Sequence, residues 1–381
     1  MQCRSCGYTT ETIFDFGCQY LAGNFWENKV KAQEASKYPL RLNICEACSL
    51  LQIENIPERN LFFHEKYSYL TGEIPDLVKH FKNYADWILE KFDISSSILE
   101  FGCNDGTLLK FLTENGFTAR GIDPSENAVS LGRGKGLEID IGFFGAGNKI
   151  YKEEQFDLIT CSNVFAHAPL IKPLTSEAWR LLRQHGVFLV EVHNAEYLLP
   201  NQFDSIYHEH AVYYDIASIS NHLNANGFKV VNSCKTDMHG AGLRITAQKS
   251  YKKNINIPDI SNVLVQKQKA NEIGQKIRCI NEFMAQKFEK RNLDIYGIAG
   301  KAQMFYHMTD LSKYVDRAFD DSEIRQSKYI VGSTTHISKY NEETGDILLI
   351  TAWNYADSIY EKVKNNYSEI YTLLPKIKRW K

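Results

Sequence analysis

Four cysteines near the start of the chain are spaced to hold one metal ion. Cys3 and Cys6, in CRSC, are answered about forty residues later by Cys45 and Cys48, in CEAC. Two such knuckles give a closed tetrahedral shell of thiolates. That shell is the chemistry of a structural zinc, because no coordination position stays open for a substrate. A glycine-rich turn follows in SILEFGCNDGTLL, residues 97–109. Gly102 closes an apolar strand and lets backbone approach a ligand without a Cβ in the way. Asn104, Asp105 and Gly106 then turn into a helix. Asp123 stands about twenty residues further on, in GIDPS, where a carboxylate at a strand end accepts ribose hydroxyls.

The turn is not GxGxxG. It lacks phosphate-facing glycines, and Asp105 would repel a pyrophosphate. It suits a nucleoside ligand that carries an amino group and a positive charge, and S-adenosylmethionine is such a ligand. Taken alone, the motif also fits an ordinary strand-to-helix turn.

A third constellation is IYHEHAVYY, residues 206–214, placed just after the fifth strand of the alternating pattern. A histidine with a carboxylate partner can be tuned near neutral pH, as a general base requires, so Tyr207, Glu209 and His210 form a reactive cluster. His167, in NVFAHAP after the fourth strand, faces the same rim, although a single strand-end histidine is more often a satisfied or surface residue. His208 and His193, the latter read as a strand cap, are left outside the site. Further along, YGIAGKA (296–302) is a second strand-to-helix turn, whose Gly300 and Lys301 could hold a diphosphate or simply pack. Trp353 and Asn354 end another strand on the same presumed rim.

The elements that must position these residues fall into three segments. With 381 residues the chain is too long for one ordinary core. Residues 1–66 hold the cysteines and bury too little to fold without the metal. Residues 67–255 alternate short apolar strands with helices and close on an antiparallel pair, FKVVNSC with GLRITAQ, the pattern of a doubly wound α/β sheet. SEAWRLLRQ (176–184) is one of those helices and GVFLVEV (186–192) the strand after it. Residues 256–381 begin with a long helix carrying Ile273, Ile277, Ile280, Phe283, Met284 and Phe288, then a second α/β unit.

A net charge of −2 gives no electrostatic case for a nucleic-acid partner. No apolar run reaches the roughly 18–20 residues that cross a bilayer, and no apolar signal core precedes CRSC, so we expect a cytoplasmic protein without a membrane partner. There, Cys18, Cys103, Cys161, Cys234 and Cys279 read as small core residues.

On these motifs the chain resembles the three-domain sugar C-methyltransferases that act on nucleotide-linked 4-keto-6-deoxy sugars. The resemblance spans nearly the whole length: the cysteine pairs, EFGCNDG, GIDPS, GFFG (142–145), NVFAHAP, YHEH, HGAGLR (239–244), YGIAGKA and ITAWNYAD (350–357). It implies a zinc-binding N-terminal domain, a Rossmann-like class I methyltransferase domain and a C-terminal Rossmann-like α/β domain that helps hold the nucleotide sugar.

By resemblance, His210 is the base at C3, Glu209 orients it and Tyr207 hydrogen-bonds the C4 oxyanion. His167, Tyr67 and Tyr69 line the same pocket. Gly102, Asn104, Asp105, Asp123, Pro124, Phe143 and Asn163 surround the methyl donor. His239, Arg244, Gly300, Lys301, Trp353 and Asn354 contact the nucleotide sugar. Two departures stand out: Ala241 replaces a usual glycine, and 316–333 lack the usual basic-Gly-Arg and Pro-Gly run. The resemblance favours a monomer and a role in branched deoxysugar synthesis. Sugar O- or N-methylation is the alternative within the class, and a zinc-module nucleic-acid methyltransferase a distant one.

Overall fold

The computed structural model describes residues 1–54, 56–57, 70–145, 147, 150–236, 238, 242–251 and 260–381. Tyr67, Tyr69 and His239 lie outside these described residues. Seven strands form the central sheet. From one edge to the other they run Phe228–Thr236, Gly242–Lys249, Leu182–His193, Phe156–Ser162, Ser97–Phe101, Thr118–Asp123 and Ile139–Ile141. Numbered along the chain, that order is 3-2-1-4-5-7-6 read from the other edge. Gly242–Lys249 is antiparallel to both its neighbours, and the pairings from Leu182–His193 onward are parallel. The sheet is doubly wound and Rossmann-like. Its order reverses between Ser97–Phe101 and Phe156–Ser162, the switch point at whose carboxyl ends sheets of this kind bind their ligands.

Local chemistry explains these elements. Ile98, Leu99 and Phe101 are fully buried, as a central parallel strand covered on both faces demands. The helix Thr107–Glu114 buries Leu108, Leu109 and Leu112 and ends before Gly116, whose φ of +92° suits glycine. The helix before the fifth strand spans Ile171–Leu181, earlier than the sequence pattern suggests. Its buried stripe is Ile171, Leu174, Thr175, Ala178 and Leu181. Leu182 already pairs with Phe156, so the backbone leaves the helix there and strand pairing overrides helical periodicity.

The cysteine segment builds an antiparallel sheet from Thr10–Tyr20, Lys37–Cys45 and Leu51–Ile53. Its fourth strand is borrowed: Val212–Tyr213, immediately after the YHEH motif, pairs with Gln52 and Leu51. Cys3 Sγ lies 3.6 Å from Cys48 Sγ, and Cys6 Sγ 3.4 Å from Cys45 Sγ. All four sulfurs lie within 4.8 Å of one another. A tetrahedron of Zn–S bonds of about 2.3 Å needs sulfurs about 3.8 Å apart, so the cradle fits zinc.

The module is anchored sideways as well. His222 Nε2 meets Thr175 Oγ1 at 2.7 Å, and Ser5 Oγ meets His222 Nδ1 at 2.8 Å. The Thr175 hydroxyl donates to the Ile171 carbonyl, so Nε2 carries the imidazole proton and Ser5 donates to Nδ1.

The C-terminal sheet runs Ile337–Ser338, Val315–Phe319, Leu293–Tyr296, Gly345–Ile350, Tyr367–Thr372, Lys378–Arg379, parallel except at its last pair. The bridging helix Ile260–Phe288 buries Ile273, Ile280, Met284 and Phe288. One continuous core joins residues from all three segments, including Leu42 and Ile53, Phe203 and Ile206, Ile280, and Phe305. The parts are therefore welded by burial rather than strung on linkers. Among the described residues no helix is long and apolar enough to cross a membrane.

Because the zinc module shares a strand and a core with the other segments, losing the metal will be felt beyond it. A Cys45→Ser variant is expected to lose zinc by elemental analysis and to lower the thermal midpoint by about 5 °C or more. An unchanged midpoint in a zinc-free variant would show that the borrowed strand does not need the metal.

Candidate active site

The glycine turn sits at the reversal of strand order. Gly102 has φ +67°, and a Cβ built there would lie 2.2 Å from Val164 Cγ2. Only glycine lets the strand end approach the start of the neighbouring loop so closely. Asn104, also at positive φ, donates its backbone N–H to Asp123 Oδ2 at 2.9 Å, while Asp123 Oδ1 accepts from the Ser125 N–H at 2.8 Å. Each carboxylate oxygen has a further lone pair, so Asp123 can still accept ribose hydroxyls. Burial raises its pKa, with those two backbone hydrogen bonds working against the rise.

Asp105 differs from its reading as a donor ligand. Its Oδ1 accepts from Thr107, and its Oδ2 is shared by Lys135 Nζ at 3.0 Å and the Gly72 N–H at 3.2 Å. The carboxylate is committed to the protein and ties the segment entering the domain to the turn. Asn104 Oδ1 helps by accepting from the Thr71 N–H. Phe144 stacks on Phe101 with ring centroids 4.0 Å apart, while Phe143 is half-exposed on the rim and Pro124 is exposed. Asn163, at φ +58°, places its amide against the Met238 sulfur. Glu100, buried under the turn, is pushed well up by desolvation, then by the charges of Asp123 and Asp105.

The histidine cluster is held by a short, non-repetitive segment. Its path from the fifth strand to YHEH includes the helix Ala195–Leu198 and the 3₁₀ turn Phe203–Ser205, so the motif lies further along than "just after the strand". His210 is buried. Its Nδ1 lies 3.1 Å from the Ser205 carbonyl and its Nε2 3.0 Å from the Tyr207 hydroxyl. A carbonyl can only accept, so Nδ1 carries the proton and Nε2 presents a lone pair, to which the Tyr207 O–H donates.

The orienting acceptor is thus the Ser205 backbone, not Glu209. Glu209 instead extends toward Gly23 of the zinc module, and burial pushes its carboxyl up to about 7. The His167 ring lies 4.8 Å from that of His210. Its Nδ1 donates to the Glu209 carbonyl, and burial lowers its pKa to about 4, keeping it neutral.

His193 joins this cluster, with its ring 5.3 Å from that of His210. Its place at the end of the fifth strand was the one sequence signal for it. His208, left aside from the sequence, points away and bonds the carbonyls of Tyr38 and Pro39.

The residues assigned to the nucleotide sugar are less uniform. Arg244 is buried, bonded through Nε and Nη2 to Glu191 and stacked 3.6 Å over the Tyr84 ring. His80 and Ser162 complete the Glu191 shell. This network pins the helix Pro75–Lys91 to the sheet, and it engages Arg244 with protein rather than presenting it as an open fork. Gly300 opens the helix Gly300–Met308 against Ala22 and Gly23 of the zinc module. Lys301 is turned inward, with its ammonium buried toward Asp204. Trp353 is buried edge-on against Phe305, with centroids 5.0 Å apart, whereas Asn354 is exposed.

Similarity to known proteins follows this layout. A methyltransferase domain model matches residues 73–233, a zinc binding domain model residues 3–63, and a C-methyltransferase C-terminal domain model residues 265–373. The C-methyltransferase NovU of Streptomyces niveus is 26% identical over 392 residues, covering 95% of this chain and 92% of that protein. A ubiquinone biosynthesis O-methyltransferase of Azoarcus sp. (strain BH72) is 27% identical over 165 residues, 39% of this chain and 70% of its own. Among solved structures, a magnesium protoporphyrin IX methyltransferase from Synechocystis PCC 6803 with bound S-adenosylmethionine matches at 16% identity and TM-score 0.37, covering 45% of this chain and 79% of that one. An S-adenosylmethionine-dependent methyltransferase from Archaeoglobus fulgidus matches at 14% identity and TM-score 0.38, covering 45% and 94%.

The central sheet, its glycine turn and the domain model define an S-adenosylmethionine-dependent methyltransferase. With a zinc-binding domain before it and a C-methyltransferase C-terminal domain after it, the chain has the make-up of a three-domain S-adenosylmethionine-dependent C-methyltransferase.

Gly102→Ala tests the donor crevice. The added Cβ is expected to weaken S-adenosylmethionine binding at least about tenfold by calorimetry, through strained φ and the clash with Val164. Affinity equal to the parent protein would move the donor away from this turn.

Proposed function

We propose that the enzyme methylates C3 of a nucleotide-diphosphate 4-keto-6-deoxy sugar, with thymidine diphosphate as the expected nucleotide, in the synthesis of a branched deoxysugar. The observation that carries this reading is the His210 tautomer. An imidazole with Nδ1–H locked on a backbone carbonyl and Nε2 turned to a tyrosine hydroxyl is a base with a built-in oxyanion donor. Carbon alkylation next to a ketone needs both. The match to a C-methyltransferase over most of both chains supports carbon as the acceptor atom.

The bound sulfonium supplies an electrophilic methyl group, and the remaining requirements fall on the chain. His210 Nε2 takes the C3 proton, and the C3–H electron pair moves toward the C4 carbonyl, whose oxygen becomes an enolate. Tyr207, released from Nε2 as that nitrogen is protonated, turns its O–H to the C4 oxygen. Neutral His167 lines the pocket without adding a competing charge. The C3 nucleophile left by His210 would then take the methyl group of a donor held at the Gly102 turn and Asp123, the carbon–sulfur bond breaking as the new carbon–carbon bond forms, to give a 3-C-methyl-4-keto sugar and S-adenosylhomocysteine. We place this reaction in the cytoplasm and read the working unit as a monomer.

Incubation with S-adenosylmethionine and thymidine-diphosphate 4-keto-6-deoxyglucose should give a methyl singlet on a quaternary carbon in the proton spectrum, with H3 gone. His210→Asn is expected to reduce kcat by about a hundredfold or more while S-adenosylmethionine affinity holds. A methyl ether with H3 retained would assign the enzyme to O-methylation. Glu209, buried with a pKa of about 7, changes charge in the working range. Glu209→Gln should accordingly remove one ionisation near pH 7 from the kcat/KM profile, and a profile identical to the parent's would exclude its carboxyl from the pH response.

A further inference from the structure

Glu191 lies two residues before His193 on the strand Leu182–His193, and the proposed reaction does not use it. Its side chain is buried, and both carboxylate oxygens are taken. Oε1 accepts from Arg244 Nε at 2.8 Å and from Nη2 at 2.7 Å. Oε2 accepts from His80 Nε2 at 2.9 Å and from the Ser162 hydroxyl at 3.0 Å. The Glu191 backbone carbonyl accepts in addition from the Asn163 N–H at 2.9 Å. Burial raises such a carboxyl, but His80 and Arg244 hold it below the ordinary carboxylate range, so it is ionised at neutral pH.

These partners lead to different walls of the donor crevice. The glycine turn is fixed by its own backbone geometry, but the segments that close on it are not. Ser162 and Asn163 start the loop after the fourth strand, and the next residue, Val164, packs against Gly102. Glu191 holds this loop twice, by the Ser162 hydroxyl and by the Asn163 N–H. His80 belongs to the helix Pro75–Lys91, where Tyr84 and Trp87 follow on the same face. Arg244 is bonded to Glu191 by one edge and stacked on these rings by its face, 3.6 Å from the Tyr84 centroid and 4.9 Å from that of Trp87. Directly before the helix comes the 3₁₀ turn Thr71–Glu73, whose Thr71 and Gly72 N–H groups donate to Asn104 and Asp105 of the glycine turn. Any slide of the helix carries those two contacts with it. One buried anion, costly to leave unpaired, thus joins helix, loop and sheet.

We propose that Glu191, with Arg244 and His80, is the positioning hub of the methyl-donor crevice: it sets the entering turn Thr71–Glu73 and the Asn163 loop against the Gly102 turn. Arg244 acts on donor affinity through Glu191 and does not bind the nucleotide sugar. This rests on the donor occupying the Gly102 turn. An arginine is required because a lysine has neither the planar face for Tyr84 nor two N–H groups on one edge.

The test uses the full-length zinc-loaded protein, with S-adenosylmethionine affinity measured by calorimetry below the unfolding midpoint of every variant. Arg244→Lys keeps the charge but loses the two-pronged contact and the stack, and His80→Ala removes one donor to Oε2. Each is expected to weaken donor binding about three- to thirtyfold. His80→Gln, which returns an N–H near the Nε2 position, should bind within about twofold of the parent. In the double variant Arg244→Lys/His80→Ala the two losses should fall short of multiplying, since both act through one carboxylate. KM for the keto sugar should stay within about twofold in each variant.

Parental donor affinity in Arg244→Lys and His80→Ala, with only the unfolding midpoint lowered, would overturn the proposal and leave the cluster a purely structural one. A raised sugar KM with unchanged donor affinity in Arg244→Lys would overturn it too, and make Arg244 a substrate ligand. So would a His80→Gln variant as weak as His80→Ala, because the bond to Glu191 would then not carry the effect. Gly102→Ala, measured alongside, separates the two readings. If it alone loses affinity, the hub fails and the donor site stands; if it binds like the parent, the donor lies elsewhere and both fall.

Discussion

A single hydrogen bond, from His210 Nδ1 to the Ser205 carbonyl, governs what this site can do. It puts the proton on one ring nitrogen and the lone pair on the other, so the imidazole is a base toward Tyr207 and the pocket. The carbonyl belongs to a one-turn 3₁₀ segment, and such a segment has too few internal hydrogen bonds to hold a position by itself. Its precision comes from what is packed on it. Val212–Tyr213, two residues beyond His210, is a strand of the zinc module's sheet, and Phe203 is buried against the C-terminal helix. His167, from the loop after the fourth strand, closes the remaining side. Metal, central sheet and C-terminal domain thus converge on a stretch of backbone that none of them would fix alone.

The donor crevice follows a different physical logic. Glu100, Asp105 and Asp123 are buried around one glycine turn, an arrangement that desolvation and mutual repulsion disfavour. Lys135 and a set of backbone N–H groups neutralise part of it, through Asp105 and Asp123 in particular. The field that remains favours a cationic ligand over a phosphate, which fits a sulfonium donor. Rigidity here comes from local chain geometry: a positive φ at Gly102 and at Asn104, and side chains that cap their own turn.

The fold was legible wherever one segment's own pattern decided it. Apolar strands such as SILEF, the leucines of Thr107–Glu114 and the isoleucine stripe of the bridging helix read correctly because burial imposes their periodicity directly. The cysteine spacing was legible for the same reason, since two knuckles and one tetrahedron leave little freedom. The helix before the fifth strand was less so: its apolar positions are compatible with several starts, and the pairing of Leu182 with Phe156 chose between them.

At the sites, residue type carried part of the answer and environment the rest. The sequence by itself determined that a thiolate shell, a non-phosphate glycine turn and a Tyr/Glu/His cluster exist in one chain, because each is a short-range pattern. It could not determine which acceptor orients His210, since an acid one residue away looks better than a carbonyl five residues back. It could not show that Asp105 is spent on Lys135, that Arg244 is engaged by Glu191, or that Lys301 is turned inward to Asp204. It set aside His193, which only the packing of two strand ends brings beside His210. Tertiary structure decided these matters, because a polar side chain's role depends on which partners burial leaves it, and those partners come from distant parts of the chain.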